Sequence, residues 1–185
     1  MEKSVFLTDN NDNLLQGLVL ITDKMISIRL VDTNNKLLGY MNLFYQDNNR
    51  FYLSEIYCYD EYRGNGIATK LSELADYILK DYEGYIIKGV YYPTQMSSDY
   101  KNIYRSKDEL NNRAINFYKK NDYKIINYYE YLKNKEHYSN LTEDDFKYNE
   151  TLVENIVFKI IKNKEHNFFE DNGVIYNSSE YNRNI

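Results

Sequence analysis

Residues 55 to 68 read Glu-Ile-Tyr-Cys-Tyr-Asp-Glu-Tyr-Arg-Gly-Asn-Gly-Ile-Ala. A strand-like run gives way to a glycine-containing turn, and that turn opens a stretch with helical spacing. The first N–H groups of a helix have no partner inside it and carry the positive end of its dipole, so they hold phosphate. Gly64 and Gly66 let the backbone approach a pyrophosphate without side-chain obstruction. Neither familiar nucleotide loop is present, since there is no Gly-Lys-Ser/Thr ending and no G-x-G-x-x-G. Arg63 either braces the turn or meets a phosphate. Cys58 invites a nucleophile reading. With no histidine near it in sequence, an inert buried thiol is the better reading.

Secondary structure must position these residues. Met25 to Asp32 alternates apolar and polar around Ile26, Ile28 and Leu30, as a half-buried strand does. Turn residues Thr33 to Asn35 lead to a second strand, Lys36 to Gln46, and Asp47 to Asn49 lead to a third, Phe51 to Tyr59. From Ile67, the residues Leu71, Leu74, Ala75 and Ile78 fall on one helical face, and that helix ends before Gly84. Tyr85 to Tyr92 is the next strand. Ser106 and Glu109 make a capping-box pattern for a second helix with Leu110, Ala114 and Phe117 on one face. Lys124 to Leu132 and Leu152 to Lys162 read as two further strands. The order β-β-β-α-β-α-β-β predicts an α+β sheet with helices packed on it. Asn134 to Glu150 is a polar insertion with a helical turn expected at Thr142 to Tyr148. Asn172-Gly173, between Phe168-Phe169 and Val174-Ile175, is a hairpin signal in a tail that could otherwise be disordered.

Placed on these elements, Arg63-x-x-Gly66-x-Ala68 resembles the R/Q-x-x-G-x-G/A signature of the GNAT superfamily of N-acetyltransferases. Asn111-x-x-Ala114-x-x-Phe117-Tyr118, followed by Asn121-Asp122-Tyr123, is similar to that superfamily's N-x-x-A-x-x-F-Y-x-x-x-G-F helix. Gly39 also stands where the family commonly has glycine. The resemblance covers about Met25 to Glu130. It implies a GNAT-like mixed, mostly antiparallel sheet and acetyl-coenzyme A as co-substrate, with no metal. By the same resemblance Gly64, Asn65, Gly66, Ile67, Ala68 and Thr69 hold the pyrophosphate, with Arg63 beside them. Ile56, Tyr57 and Cys58 pair their main chain with the pantetheine arm, as an added strand would. Asn111 bonds the pantetheine or nearby backbone, and Tyr118 protonates the departing thiolate. A phenol with pKa near 10 suits that task. Glu55 stands where polyamine-type members carry an acidic residue and would be the base, the alternative being a solvated strand glutamate. Ser54 ordering a water relay is the other solution.

The chain departs from the family at three places. The family carries one or two helices after its first strand, and 24 residues before Met25 leave little room for them. Asp122 replaces the usual glycine, a mild change because Asp tolerates left-handed dihedrals. Pro93 to Arg105 is a long strand-to-helix connection.

The activity implied is acetyl transfer from acetyl-coenzyme A to a primary amine, by direct attack in a ternary complex. Asn134 to Thr151 carries Glu136, Glu143, Asp144, Asp145 and Glu150 against Lys135 and Lys147, net −3. Such a lip favours a small cationic acceptor, a polyamine or amino sugar, unless it is simply a solvated charge run. A protein or peptide amine is the alternative acceptor, and a non-catalytic acyl-coenzyme A-binding module is the alternative class.

Composition bounds these readings. At 185 residues, one domain over 1–162 with a tail or extra hairpin over 163–185 is expected. Leu, Ile, Val and Phe make up about 26%, above the roughly 20% below which chains fail to build a core. Net charge of −5 argues against nucleic acid. The absence of an apolar run of about 20 residues argues against a membrane span. One cysteine and two histidines argue against disulfides and zinc and suit a reducing, cytoplasmic compartment. Oligomeric state stays open, with a homodimer among the options.

Overall fold

A computed structural model describes residues 1–92 and 107–178. Its strands and helices run β1 (Glu2–Thr8), β2 (Leu14–Ile21), β3 (Met25–Val31), β4 (Leu37–Gln46), β5 (Arg50–Cys58), α1 (Ile67–Ile78), β6 (Ile86–Val90) and α2 (Lys107–Lys120). There follow β7 (Lys124–Asn127), α3 (Tyr128–Lys133), β8 (Lys147–Tyr148), β9 (Thr151–Leu152), β10 (Asn155–Ile160), β11 (Phe168–Asp171) and β12 (Val174–Asn177). Contacts divide the chain into two compact units, 1–85 with 160–185, and 86–159.

The first unit is a sheet in the order β11-β12-β1-β2-β3-β4-β5. All its pairings are antiparallel except β1 with β12, which is parallel in the register Ser4↔Val174. Residues 1–24, to which the sequence reading gave no element, form the β1–β2 hairpin. Its alternation is clear in retrospect, because Val5, Leu7, Leu15 and Val19 are buried. The Asp9–Asn13 turn is built by the Asp9 carboxylate, which accepts from Asn11 N–H (2.8 Å), Asn13 N–H (2.9 Å) and Asn13 Nδ2 (3.0 Å). Helix α1 contacts β3, β4 and β5 and buries Leu71, Leu74 and Ala75 there. Asn172 (φ 50°) and Gly173 (φ 79°) turn β11 into β12.

In the second unit β6 lies beside β10, and β10 pairs antiparallel with β7 in the register Ile156↔Ile126. Two expected strands are corrected here. Lys124 to Leu132 is a strand only as far as Asn127. The Asn127 side chain accepts from Tyr129 N–H at 2.9 Å and caps α3, and this helix-start chemistry prevails over the β-propensity of Tyr128, Tyr129 and Tyr131. Leu152 to Lys162 is interrupted at Val153–Glu154, and β10 ends at Ile160. The helical turn expected in the insertion is a 3₁₀ turn at Glu143–Phe146. Its Phe146 is fully buried, 5.0 Å from the Tyr131 ring and 5.2 Å from that of Tyr128. Ser106, one half of the expected capping box, and the stretch from Pro93 to Arg105 lie outside the described residues, and so does the side chain of Leu110.

Candidate active site

Glu55 to Thr69 lie in the first unit, and Asn111 and Tyr118 in the second. Each group has its own supports.

The register of β4 with β5 shifts between Asn42 and Leu43: Leu43 faces Leu53 while Asn42 faces Glu55, so Ser54 is an extra residue bulged out of the ladder. A bulge re-aims side chains, and Ser54 and Glu55 are both exposed. The Tyr40 hydroxyl bonds the Glu55 carboxylate from the neighbouring strand. Burial and that bond push the Tyr40 phenol up to about 12. Past the bulge, Ile56, Tyr57 and Cys58 pair with Met41, Tyr40 and Gly39 and are half-buried. Burial pushes the Cys58 thiol up to about 11. It is therefore protonated at neutral pH, a poor nucleophile. Gly39 has a packing reason: a Cβ there would lie 2.6 Å from the Tyr57 carbonyl oxygen and 3.0 Å from Ile67.

Beyond Cys58 a 3₁₀ turn, Asp60–Tyr62, leads into the glycines. Arg63 folds back, donating from Nε to the Cys58 carbonyl (3.1 Å) and pairing with Asp60 (2.5 Å), which braces the turn. Gly64 (φ 88°) and Gly66 (φ 83°) are left-handed, a conformation that side chains resist. Gly66 occupies the N-cap of α1, and no side chain among the described residues caps the helix. The opening N–H groups of Ile67, Ala68 and Thr69 are thus the anion-binding end of a helix. A Cβ at Gly64 would meet nothing within 4 Å. Over Gly66 lies the Asn10 side chain, all three amide atoms 2.5–2.6 Å from where a Cβ would be. Asn10 N–H also donates to the Asn65 carbonyl (3.1 Å), and Asn11 Nδ2 to Asn65 Oδ1 (3.2 Å). The β1–β2 turn is therefore tied to the glycine turn, and the sequence reading missed it.

In the second unit Asn111 and Tyr118 lie on α2, and both are half-buried. Tyr91, just past β6, donates its hydroxyl to Asn111 Oδ1. Its ring meets Tyr118 edge-on at 6.0 Å, and Tyr123 flanks Tyr118 at 5.6 Å. Burial, reinforced by Tyr91, pushes the Tyr118 phenol up to about 12. The turn after α2 is closed by Tyr123 N–H donating to the Tyr118 carbonyl (2.9 Å), with Asp122 at φ 65° in the role of the usual glycine. The family resemblance singled out Asn111 and Tyr118 but not Tyr91, which is separated from α2 by the long connection.

The acetyltransferase (GNAT) domain family model matches residues 26–125, more than half of the chain. The chain belongs to the GNAT family. Acetyl transfer from acetyl-coenzyme A is that family's activity, and the sheet and helices described above are its α+β fold. A GNAT-family acetyltransferase from Staphylococcus aureus Mu50 is similar in structure, with TM-score 0.50 and 16% identity over 75% of this chain and 68% of that one. PaiA N-acetyltransferase from Thermoplasma acidophilum, solved with coenzyme A, gives TM-score 0.44 and 17% identity over 74% of this chain and 61% of its own. The ribosomal-protein-S18-alanine N-acetyltransferase from Escherichia coli gives 0.44 and 11%, over 81% and 77%. No curated protein sequence matches the chain. Among the described residues no cluster of three or more His, Cys, Asp or Glu could hold a metal, and no helix is long and apolar enough to cross a membrane.

Proposed function

We propose that this GNAT chain transfers acetyl from acetyl-coenzyme A to a primary amine by direct attack in a ternary complex. The observation that carries the reading is the uncapped N-terminus of α1 behind two left-handed glycines, inside the segment matched by the family model. Residues 64–69 would receive the pyrophosphate through backbone N–H groups, with Arg63 acting as a brace. Ile56, Tyr57 and Cys58 would offer main-chain groups to the pantetheine arm. Asn111, held by Tyr91, would bond the pantetheine or nearby backbone.

The co-substrate supplies an activated acetyl group, and the protein supplies proton handling. An amine is protonated in water and must lose a proton before it attacks. Glu55, anchored by Tyr40 beside the bulge, is the base in this reading. Tyr118 is the acid. Its raised pKa keeps the proton in place until a thiolate develops.

A small cationic acceptor, a polyamine or amino sugar, is favoured through Glu55. The insertion contributes less than its sequence suggests, because Asp145 is paired with Lys88 from outside it (3.1 Å), whereas Glu143–Lys135 (2.6 Å) and Asp144–Lys147 (2.7 Å) are pairs within its net charge. The test is thiol release from acetyl-coenzyme A with a panel of polyamines, amino sugars, neutral amines and peptides, run with Glu55→Gln alongside. Expected are higher kcat/KM for cationic amines, shrinking in salt, and a lower kcat in the variant. Salt-insensitive use of peptides with a fully active variant would overturn both the acceptor and the base. No thiol release with any amine would leave a binding module.

A further inference from the structure

At the far end of β5 from the glycine turn is a cavity of about 260 Å³, lined chiefly by Asp23, Met25, Tyr45, Phe51, Tyr82 and Tyr85. Phe51 and Glu55 are four residues apart along β5, roughly 13 Å at 3.3 Å per residue, so this cavity is separate from the proposed acetyl-transfer site.

Its geometry is that of a corner, not a stack. Phe51, 3% exposed, is the floor. Tyr45 and Tyr82 stand against it with ring centroids 5.6 and 5.3 Å away and planes tilted 69° and 89°. Tyr85 meets Tyr82 at 5.3 Å and 69°. Core aromatics normally close over one another, yet Tyr45 is 42% and Tyr82 41% exposed, so their rings face open space. Among the described residues no Lys, Arg or His side chain lines the cavity, and its carboxylate is Asp23 on the exposed β2–β3 turn. Aromatic faces carry negative quadrupole density. Several such faces at steep angles, with a carboxylate and no competing cation, select a positive charge spread over methyl groups. A compact anion or a hard, strongly hydrated cation would gain little here. The volume falls below the roughly 300–1,000 Å³ of drug-sized pockets, which suits a head group and not a whole cofactor.

We propose that this cavity binds a quaternary alkylammonium head group. Choline and a trimethyllysine side chain carry that same group on different bodies. Binding at this site is independent of the acetyl-transfer reading, because no residue is shared.

The full chain labelled at its methionine methyls carries a reporter in the cavity wall, Met25, among four methionines. It is titrated by NMR with tetramethylammonium, choline, a trimethyllysine peptide and the neutral choline isostere 3,3-dimethylbutan-1-ol. The expected result is a saturable Met25 methyl shift, with choline or the peptide bound about tenfold more tightly than the isostere. Whichever of those two binds more tightly identifies the source of the head group. Tyr82→Leu keeps apolar area but removes a ring face, and Asp23→Asn removes the charge from an exposed turn. Each should weaken cation binding several-fold and leave isostere binding unchanged, with the other methionine signals confirming the fold. Equal affinity for cation and isostere, an unmoved Met25 signal, or cation affinity unchanged in both variants would overturn the proposal.

Discussion

A phenol is an effective acid at neutral pH only if it still holds its proton, and Tyr118 does so with its pKa pushed up to about 12. Tyr118→Phe should therefore lower kcat by roughly 10²- to 10⁴-fold while leaving acetyl-coenzyme A affinity nearly unchanged. In the parent enzyme kcat should show no alkaline fall from this group below about pH 10. Steady-state kinetics paired with coenzyme titration checks both points. The glycines call for a more careful test, because Asn10 confounds Gly66: any side chain there would collide with the Asn10 amide whatever the ligand does. Gly64 is the cleaner probe, having open space around it. Gly64→Asp and Gly64→Asn share the backbone strain and differ in charge. The Asp variant should bind acetyl-coenzyme A about tenfold more weakly than the Asn variant, a difference of about 1.4 kcal/mol, by calorimetry. Conversely, the cost of Gly66→Ala to unfolding stability should shrink by about 1 kcal/mol in an Asn10→Gly background, the coupling expected of groups in contact. A family motif singles out candidate residues that share one turn or one helix, such as Arg63 with Gly66 or Asn111 with Tyr118. It does not expose partners brought in from other elements. Asn10, Tyr40 and Tyr91 are of that second kind, and each looks like one more Asn or Tyr in a chain that has 25 and 22 of them.

Among the elements, the meander β3–β5, the helix α1 and the helix α2 follow directly from their apolar spacing. The misread ones were governed by local hydrogen bonding that a periodicity count does not see. At Asn127 a single side-chain acceptor converts a tyrosine-rich run from strand to helix. Asn127→Ala should cost about 1 kcal/mol in denaturant unfolding, the ordinary value of a lost cap. Asp145 is the larger support of the insertion. It closes the Thr142 capping box (N–H to Oδ2, 2.8 Å) and pairs with buried Lys88. Asp145→Ala would strand the Lys88 charge at 11% side-chain exposure, with an expected loss of about 3–5 kcal/mol. Asp145→Ala paired with Lys88→Met should recover part of that loss, as seen in urea melts, because no buried charge is then left without its partner.

For the molecule as a whole, titration sets the working range. Tyr40, Tyr118 and Tyr138 all have phenols raised to about 12, Tyr138 chiefly through its bond to Glu130. Folded values above the unfolded 10 mean that the stability they contribute is complete below pH 10 and is lost as pH climbs toward 12. Absorbance at 295 nm should show two classes of tyrosine, the later class ionising together with unfolding. On the acid side, the Asp9 carboxyl lies below its usual 3.8, because the bonds from Asn11 and Asn13 outweigh burial. Its contribution is present above that value and disappears only as pH falls through the depressed one. The parallel pairing of β1 with β12 bears on how the chain is made. Ser4 emerges from a ribosome about 170 residues before Val174, its partner, which is of order ten to thirty seconds at 5–20 residues per second. Throughout that interval β1 has β2 on one side and a bare row of amide and carbonyl groups on the other. A nascent chain in that state can recruit a β12 from a neighbouring polysome, so slower elongation or higher expression should favour strand-exchanged dimers over monomers.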